Sequence, residues 1–221
     1  MKRKLFLYTF LFPLLCFLGC SSSGVLTKNT RTISELVNEV KSRFAFVRAS
    51  DSTRVSSSSA ISIGDGFFLT TYHSLIRDED SVMLPFYVQK GARRDTGPRF
   101  IRRENDMAIF WSSLGIGDSV ITPRYDIGIG EQTAWIQPMF YAKGVVNIFF
   151  HIERISRIDS LRIFIDRPVF PGTSGSGLFD TNGNLIGIID QFYFPYHDQV
   201  TYGSALKIGL LETILEKGAQ K

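Results

Sequence analysis

Ser174 stands among three glycines in Phe170-Pro-Gly-Thr-Ser-Gly-Ser-Gly-Leu-Phe179, directly before a hydrophobic segment. Glycine takes backbone angles that other residues avoid, so Gly172 and Gly175 permit a tight turn whose amides point into a cavity. Two such N–H groups beside the Ser174 oxygen would make an oxyanion hole. The same stretch also fits a plain Gly/Ser turn between strands, and the rest of the chain must decide. A serine hydroxyl is a poor nucleophile until a base takes its proton. The chain has three histidines, His73, His151 and His197. His73 ends an apolar run in Gly64-Asp-Gly-Phe-Phe-Leu-Thr-Thr-Tyr-His-Ser-Leu-Ile76, where a strand gives way to a polar turn. Asp106 immediately precedes another apolar run in Glu104-Asn-Asp-Met-Ala-Ile-Phe-Trp111. A nucleophile, a base and a carboxylate to orient the base are the parts needed for acyl transfer.

Their order along the chain is His, Asp, Ser, whereas α/β-hydrolases place the serine first. A nucleophile elbow would also need glycine two residues either side of the serine, and position 176 is serine. The three segments together resemble the chymotrypsin-like serine peptidases, most closely the bacterial Deg/HtrA and glutamyl-endopeptidase types. In those, a G-x-G-F then L-T-x-x-H segment carries the histidine, D-x-A-hydrophobic the aspartate and P-G-x-S-G the serine. The resemblance implies an all-β fold of two antiparallel Greek-key barrels with the active site between them. It further implies catalysis by His73, Asp106 and Ser174, an oxyanion hole from the amides of Gly172 and Ser174, and no cofactor. Gly203, Ser204 and Ala205 look like the strand that pairs with substrate backbone. Two positions depart from the pattern, Ser176 where Gly is usual and Gly177 where Pro is usual.

Trypsin-like enzymes carry an aspartate six residues before the serine, where this chain has Pro168. Glutamate-specific relatives carry a histidine on the strand after the serine, at the position of Ile189. Neither site offers a counter-charge. Burying an unpaired charge costs several kcal/mol, whereas an apolar side chain gains about 1–3 kcal/mol on burial. The expected residue before the cut bond is therefore small or medium and apolar.

Lys2, Arg3 and Lys4 precede an apolar run over residues 5–18, too short to span a bilayer. It ends at Phe17-Leu-Gly-Cys20, which resembles a bacterial lipoprotein signal whose cysteine is acylated. Residues 1–19 are thus expected to be removed and Cys20 to carry lipid. This makes the mature protein an envelope protein anchored at the periplasmic face or the cell surface. The only other cysteine, Cys16, leaves with the signal, so neither a disulfide nor a cysteine metal site is expected. Loss of the three basic residues brings the net charge from +4 to about +1, so the basic balance is no argument for nucleic acid.

Residues 20–31, rich in Ser and Thr, read as a tether. Thr32 caps a helix with Ile33, Leu36, Val37 and Val40 at helical spacing. Strands are expected at 44–48, 60–63 and 67–71, with 51–59 as an exposed hairpin loop because it holds five serines. Segments 82–88 and 99–102 read as a further hairpin, around which Lys90, Arg93, Arg94, Arg99, Arg102 and Arg103 form a basic cluster. A linker divides an N-terminal barrel at 32–118 from a C-terminal one at 119–221. The second half has strands near 133–137, 145–155, 161–165, 177–179, 184–189 and 200–205, and a closing helix at 208–217. Asp180-Thr-Asn-Gly183 is a strong hairpin signal between two of these strands, since Asn-Gly favours the turn that matches strand twist.

His151 reads as an exposed strand residue and His197 as part of an aromatic loop. No close His/Asp/Glu set has metal-ligand spacing. The function expected is a peptidase acting on peptide or protein substrates. The alternatives are a catalytically weak or inactive peptidase-like lipoprotein whose cleft holds extended peptide by strand addition, and an esterase on the same fold that uses the same residues.

Overall fold

The computed structural model describes residues 31–76, 82–141, 144–193 and 202–209. Helix α1 (Ile33–Arg43) begins with a reciprocal cap in which the Thr32 hydroxyl accepts from the Glu35 N–H and the Glu35 carboxylate accepts from the Thr32 N–H. Leu36 and Val40, one turn apart, are buried, while Ile33 is exposed. At the helix end Arg43 donates to the Ser119 carbonyl at 2.8 Å and to its hydroxyl at 2.9 Å, tying the helix to the segment between the two sheets.

The first sheet comprises β1 (Phe44–Ser50), β2 (Val55–Gly64), β3 (Phe67–Thr71), β4 (Phe86–Lys90), β5 (Arg93–Asp95), β6 (Arg99–Glu104) and β7 (Met107–Trp111). Its order is β5-β4-β1-β2-β3-β7-β6, antiparallel throughout. The second is a closed barrel of β8 (Gln132–Tyr141), β9 (Gly144–Ile158), β10 (Arg162–Ile165), β11 (Gly177–Asp180), β12 (Leu185–Tyr193) and β13 (Tyr202–Lys207), in the order β10-β13-β12-β11-β8-β9. The architecture is thus mostly β, as expected.

Two local expectations are corrected. The serine run is not a loop: β2 starts at Val55, and the connection from β1 shrinks to residues 51–54, where the Asp51 carboxylate accepts the Thr53 and Arg54 amides. Ser58 and Ser59 are consequently buried. Segments 82–88 and 99–102 do not pair with each other; β4 pairs with β1 and β5, and β6 with β7. The hairpin expected at residues 180–183 does form, between β11 and β12, with a turn one residue longer than a two-residue turn, Gly183 at φ +82° and register shifted at Phe179. The Asp180 carboxylate takes the Asn182 and Asn184 amides, which favours this wider turn. The C-terminal helix expected at 208–217 lies almost wholly outside the described residues, as does His197.

Three apolar clusters hold the molecule. Val47, Phe68, Leu75 and Phe110 fill the first sheet, and Trp135, Ile163, Ile165, Leu178 and Ile189 fill the second barrel. The third joins them, packing Leu36 and Val40 of α1 and Ile61, Leu69 and Ile109 of the first sheet against Ala134, Ile136, Phe179 and Leu206 of the barrel. Each such buried side chain contributes about 1.5–3 kcal/mol. The strand leading to His73 and the strand following Ser174 therefore share one core.

Candidate active site

The Asp65-Gly66 turn, with φ of +52° and +86°, connects β2 to β3 as a two-residue hairpin turn suited to strand twist. β3 then delivers His73 into a single 3-10 turn, His73–Leu75, just past the strand end. β7 lies beside β3 and starts at Met107, so Asp106 meets His73 across the strand ends. The Asp106 carboxylate accepts twice, from the His73 backbone N–H at 2.8 Å and from the imidazole Nδ1 at 2.6 Å. The Tyr72 N–H also donates to the Asp106 carbonyl at 2.6 Å. With Nδ1 protonated toward Asp106, Nε2 is left as the basic nitrogen.

Ser174 lies on the turn before β11. The Thr173 N–H donates to the Phe170 carbonyl at 3.1 Å, and Gly172, third in that turn, has φ +93°. A proline second and a glycine third with positive φ define a type II turn. Among the described residues, neither the Gly172 nor the Ser174 N–H donates to a protein acceptor. Gly175 has φ +89°, and a Cβ there would lie 2.0 Å from the Ser59 carbonyl oxygen. Only glycine lets the turn approach β2 this closely. Ser176 turns its buried hydroxyl away, donating to the Ile136 carbonyl at 2.7 Å. The half-buried Ser174 hydroxyl donates to the Asp190 carbonyl at 3.2 Å.

The fold that carries these residues is similar to solved structures. The chain is similar to the Rv3671c protease from M. tuberculosis in its active form, with 17% identity, a TM-score of 0.68, and 82% of this chain and 83% of that one covered. It is similar to the HtrA-type protease AlgW bound to a tripeptide, with 20% identity and a TM-score of 0.67 over 84% of this chain, spanning 63% of that chain's length. It is also similar to a Glu endopeptidase, with 17% identity and a TM-score of 0.62 over 81% of this chain and 91% of that one. The fold is that of the chymotrypsin-like serine proteases. No family model matches the sequence, and neither does any curated protein.

Within this chymotrypsin-like fold the expected substrate strand is corrected. β13, carrying Gly203, Ser204 and Ala205, is hydrogen-bonded to β10 on one side and β12 on the other, so it has no edge to offer a peptide. The open edge belongs instead to the far end of β12: Gln191, Phe192 and Tyr193 pair with β13, whereas pairing with β11 stops at Ile188. Among the described strands nothing pairs with that other edge, and Asp190, next to it, contacts Ser174. Ile189 does not face a pocket either; it is fully buried among Trp135, Ile163, Val169 and Ala205. Pro168 is half-buried, and Val169 after it packs beside Gly203, where a Cβ would fall 2.7 Å from the valine methyl.

Asp190, a charge near enough in sequence to reach the pocket, is buried within β12, its carboxylate accepting from Arg162 at 3.0 Å and from the Ser204 hydroxyl at 2.6 Å. His151 is not exposed: half-buried, it stacks on Trp135 with centroids 4.5 Å apart. Burial, with the nearby Arg167 charge, holds its pKa below the usual histidine value. The basic cluster is largely engaged, Arg94 over the Tyr87 ring and Arg103 over the Tyr72 ring at 4.3 Å each, Lys90 with Asp118, and Arg102 with Glu104 at 3.9 Å.

Proposed function

We propose that this chain is an exported serine endopeptidase, tethered to a membrane through lipid on Cys20, that hydrolyses peptide bonds through an acyl-enzyme. The observation that carries the reading is the doubly bonded Asp106–His73 pair on a fold shared with serine proteases. Ser174 Oγ attacks the substrate carbonyl carbon as its proton passes to His73 Nε2. A hydroxyl has one proton, so this transfer begins with release of the long bond to Asp190. Asp106 holds the Nδ1 proton and offsets the imidazolium charge. The substrate oxygen becomes an oxyanion at the free amides of Gly172 and Ser174, where loss of one donor typically costs about a hundredfold in rate. Collapse breaks the C–N bond, and His73 returns its proton to the departing amine. Water, deprotonated by the same nitrogen, then hydrolyses the ester.

The substrate lies along the open edge of β12 as an added strand. The groups behind it give the first pocket an apolar character: Val169 is buried beside Gly203, and the Asp190 carboxylate is already matched by Arg162 and Ser204. A random peptide library should be cut after Ala, Val or Leu by the wild type and left intact by Ser174→Ala. Dominant cleavage after Arg, Lys or Glu would overturn the pocket assignment, and undiminished cleavage by Ser174→Ala the nucleophile.

A further inference from the structure

Ser59, in the middle of β2, reaches the nucleophile turn with both its N–H and its hydroxyl. Its N–H donates to the Ser174 carbonyl at 2.8 Å, and its hydroxyl donates to the Gly172 carbonyl at 2.8 Å. Its own carbonyl accepts from the Thr70 hydroxyl at 2.6 Å, on the strand that leads to His73. The residue is fully buried. We propose that Ser59 is a positioning residue that fixes the amides of Gly172 and Ser174 on the side where the substrate oxygen becomes charged; the inference rests on the reading of Ser174 as nucleophile.

Peptide groups are rigid planes, so a held carbonyl fixes its whole plane. Ser59 holds the plane after Gly172 and the plane after Ser174, and the Ser174 amide belongs to the plane between them. The Gly172 amide is one Cα from a held plane. Nothing local fixes its direction, because type I and type II turns differ by reversal of the peptide between their central residues, here 171–172, and glycine accepts either sign of φ. Without the Ser59 hydroxyl the Gly172 carbonyl loses its donor, which favours rearrangement of the turn. The neighbouring Ser58 is a built-in contrast: its hydroxyl is also buried but has no partner among the described residues. A merely polar strand would not distinguish the two.

The test compares Ser59→Ala, Ser58→Ala and Ser59→Thr on a fluorogenic peptide cut by the wild type. Ser59→Ala should lower kcat roughly tenfold to a hundredfold with KM within about twofold, the signature of a misplaced oxyanion donor. Affinity for a peptide boronic acid should fall in parallel, while an uncleavable amide of the same sequence binds unchanged. Ser58→Ala should keep wild-type kcat, and Ser59→Thr, which retains the hydroxyl, should recover most of it. The Gly172 resonance of 15N-glycine-labelled protein should shift in Ser59→Ala and not in Ser58→Ala, a readout that needs no turnover. If Ser59→Ala does not fold, Ser59→Cys, a weaker donor of similar size, should show the same losses in smaller measure. Wild-type kcat and an unmoved Gly172 resonance in Ser59→Ala would overturn the positioning role. A wild type that cuts no peptide, with the Gly172 resonance still dependent on Ser59, would leave the contact standing and remove the nucleophile reading.

Discussion

An imidazole stacked on an indole and half withdrawn from water pays for becoming charged, and His151 is in that position. Its folded pKa lies below the unfolded value near 6.5. Above that value both states are neutral and the residue has no effect on stability. As pH falls through it, the unfolded chain takes up a proton that the folded protein resists, so stability drops until the folded pKa is reached. His151→Phe keeps a ring against Trp135 and removes the titration. Thermal melts from pH 7.5 to 5 should show a smaller loss of Tm in the variant; parallel curves would contradict the assignment. At this scale the pairing of His73 with Asp106 was legible, because one histidine of three ends a strand and Asp106 stands immediately before the strand beside it. Ser59 was not legible, because one serine among five carries no mark until a strand register buries it.

The turn that carries Ser174 holds together as an element because β2 lies against it. Gly175 sits at φ +89° with no room for a side chain, the obstructing atom being the Ser59 backbone oxygen. Gly183 has a similar φ of +82°, yet the atom nearest a Cβ there is the end of the flexible Arg31 side chain. Replacing each with alanine therefore separates strain from collision. Gly183→Ala should cost about 1–2 kcal/mol from the backbone conformation alone and leave catalysis intact. Gly175→Ala must push the turn away from β2 and should lose activity by at least about a hundredfold. Equal activity in the two variants, measured on one peptide substrate, would mean that the contact with β2 does not position the turn. Most strands were readable from apolar runs bounded by small or polar turn residues, as with Gly66 before β3 and Asn105-Asp106 before β7. Pairing was less so. β13 looked like a free edge because composition does not reveal that β10 and β12 flank it on both sides.

At the scale of the whole molecule, a shared core of α1, the first sheet and the barrel keeps the His73 and Ser174 segments in fixed relation. The fold class was legible from many short strands with regular turns, while barrel closure depends on non-local pairing that no local pattern encodes. The tether belongs to this scale as well. If acyl chains on Cys20 supply the anchoring, Cys20→Ser should move the protein from the membrane fraction to the soluble fraction; wild type recovered wholly soluble without detergent would refute the anchor. The central claim is that Ser174 is a nucleophile activated by His73 and Asp106. Its most direct test is reaction of the purified protein with a fluorophosphonate, followed by peptide mapping. The predicted result is one adduct per chain, on Ser174, lost in Ser174→Ala and strongly slowed in His73→Ala. No adduct on the folded wild type, or an adduct on another serine, would contradict it.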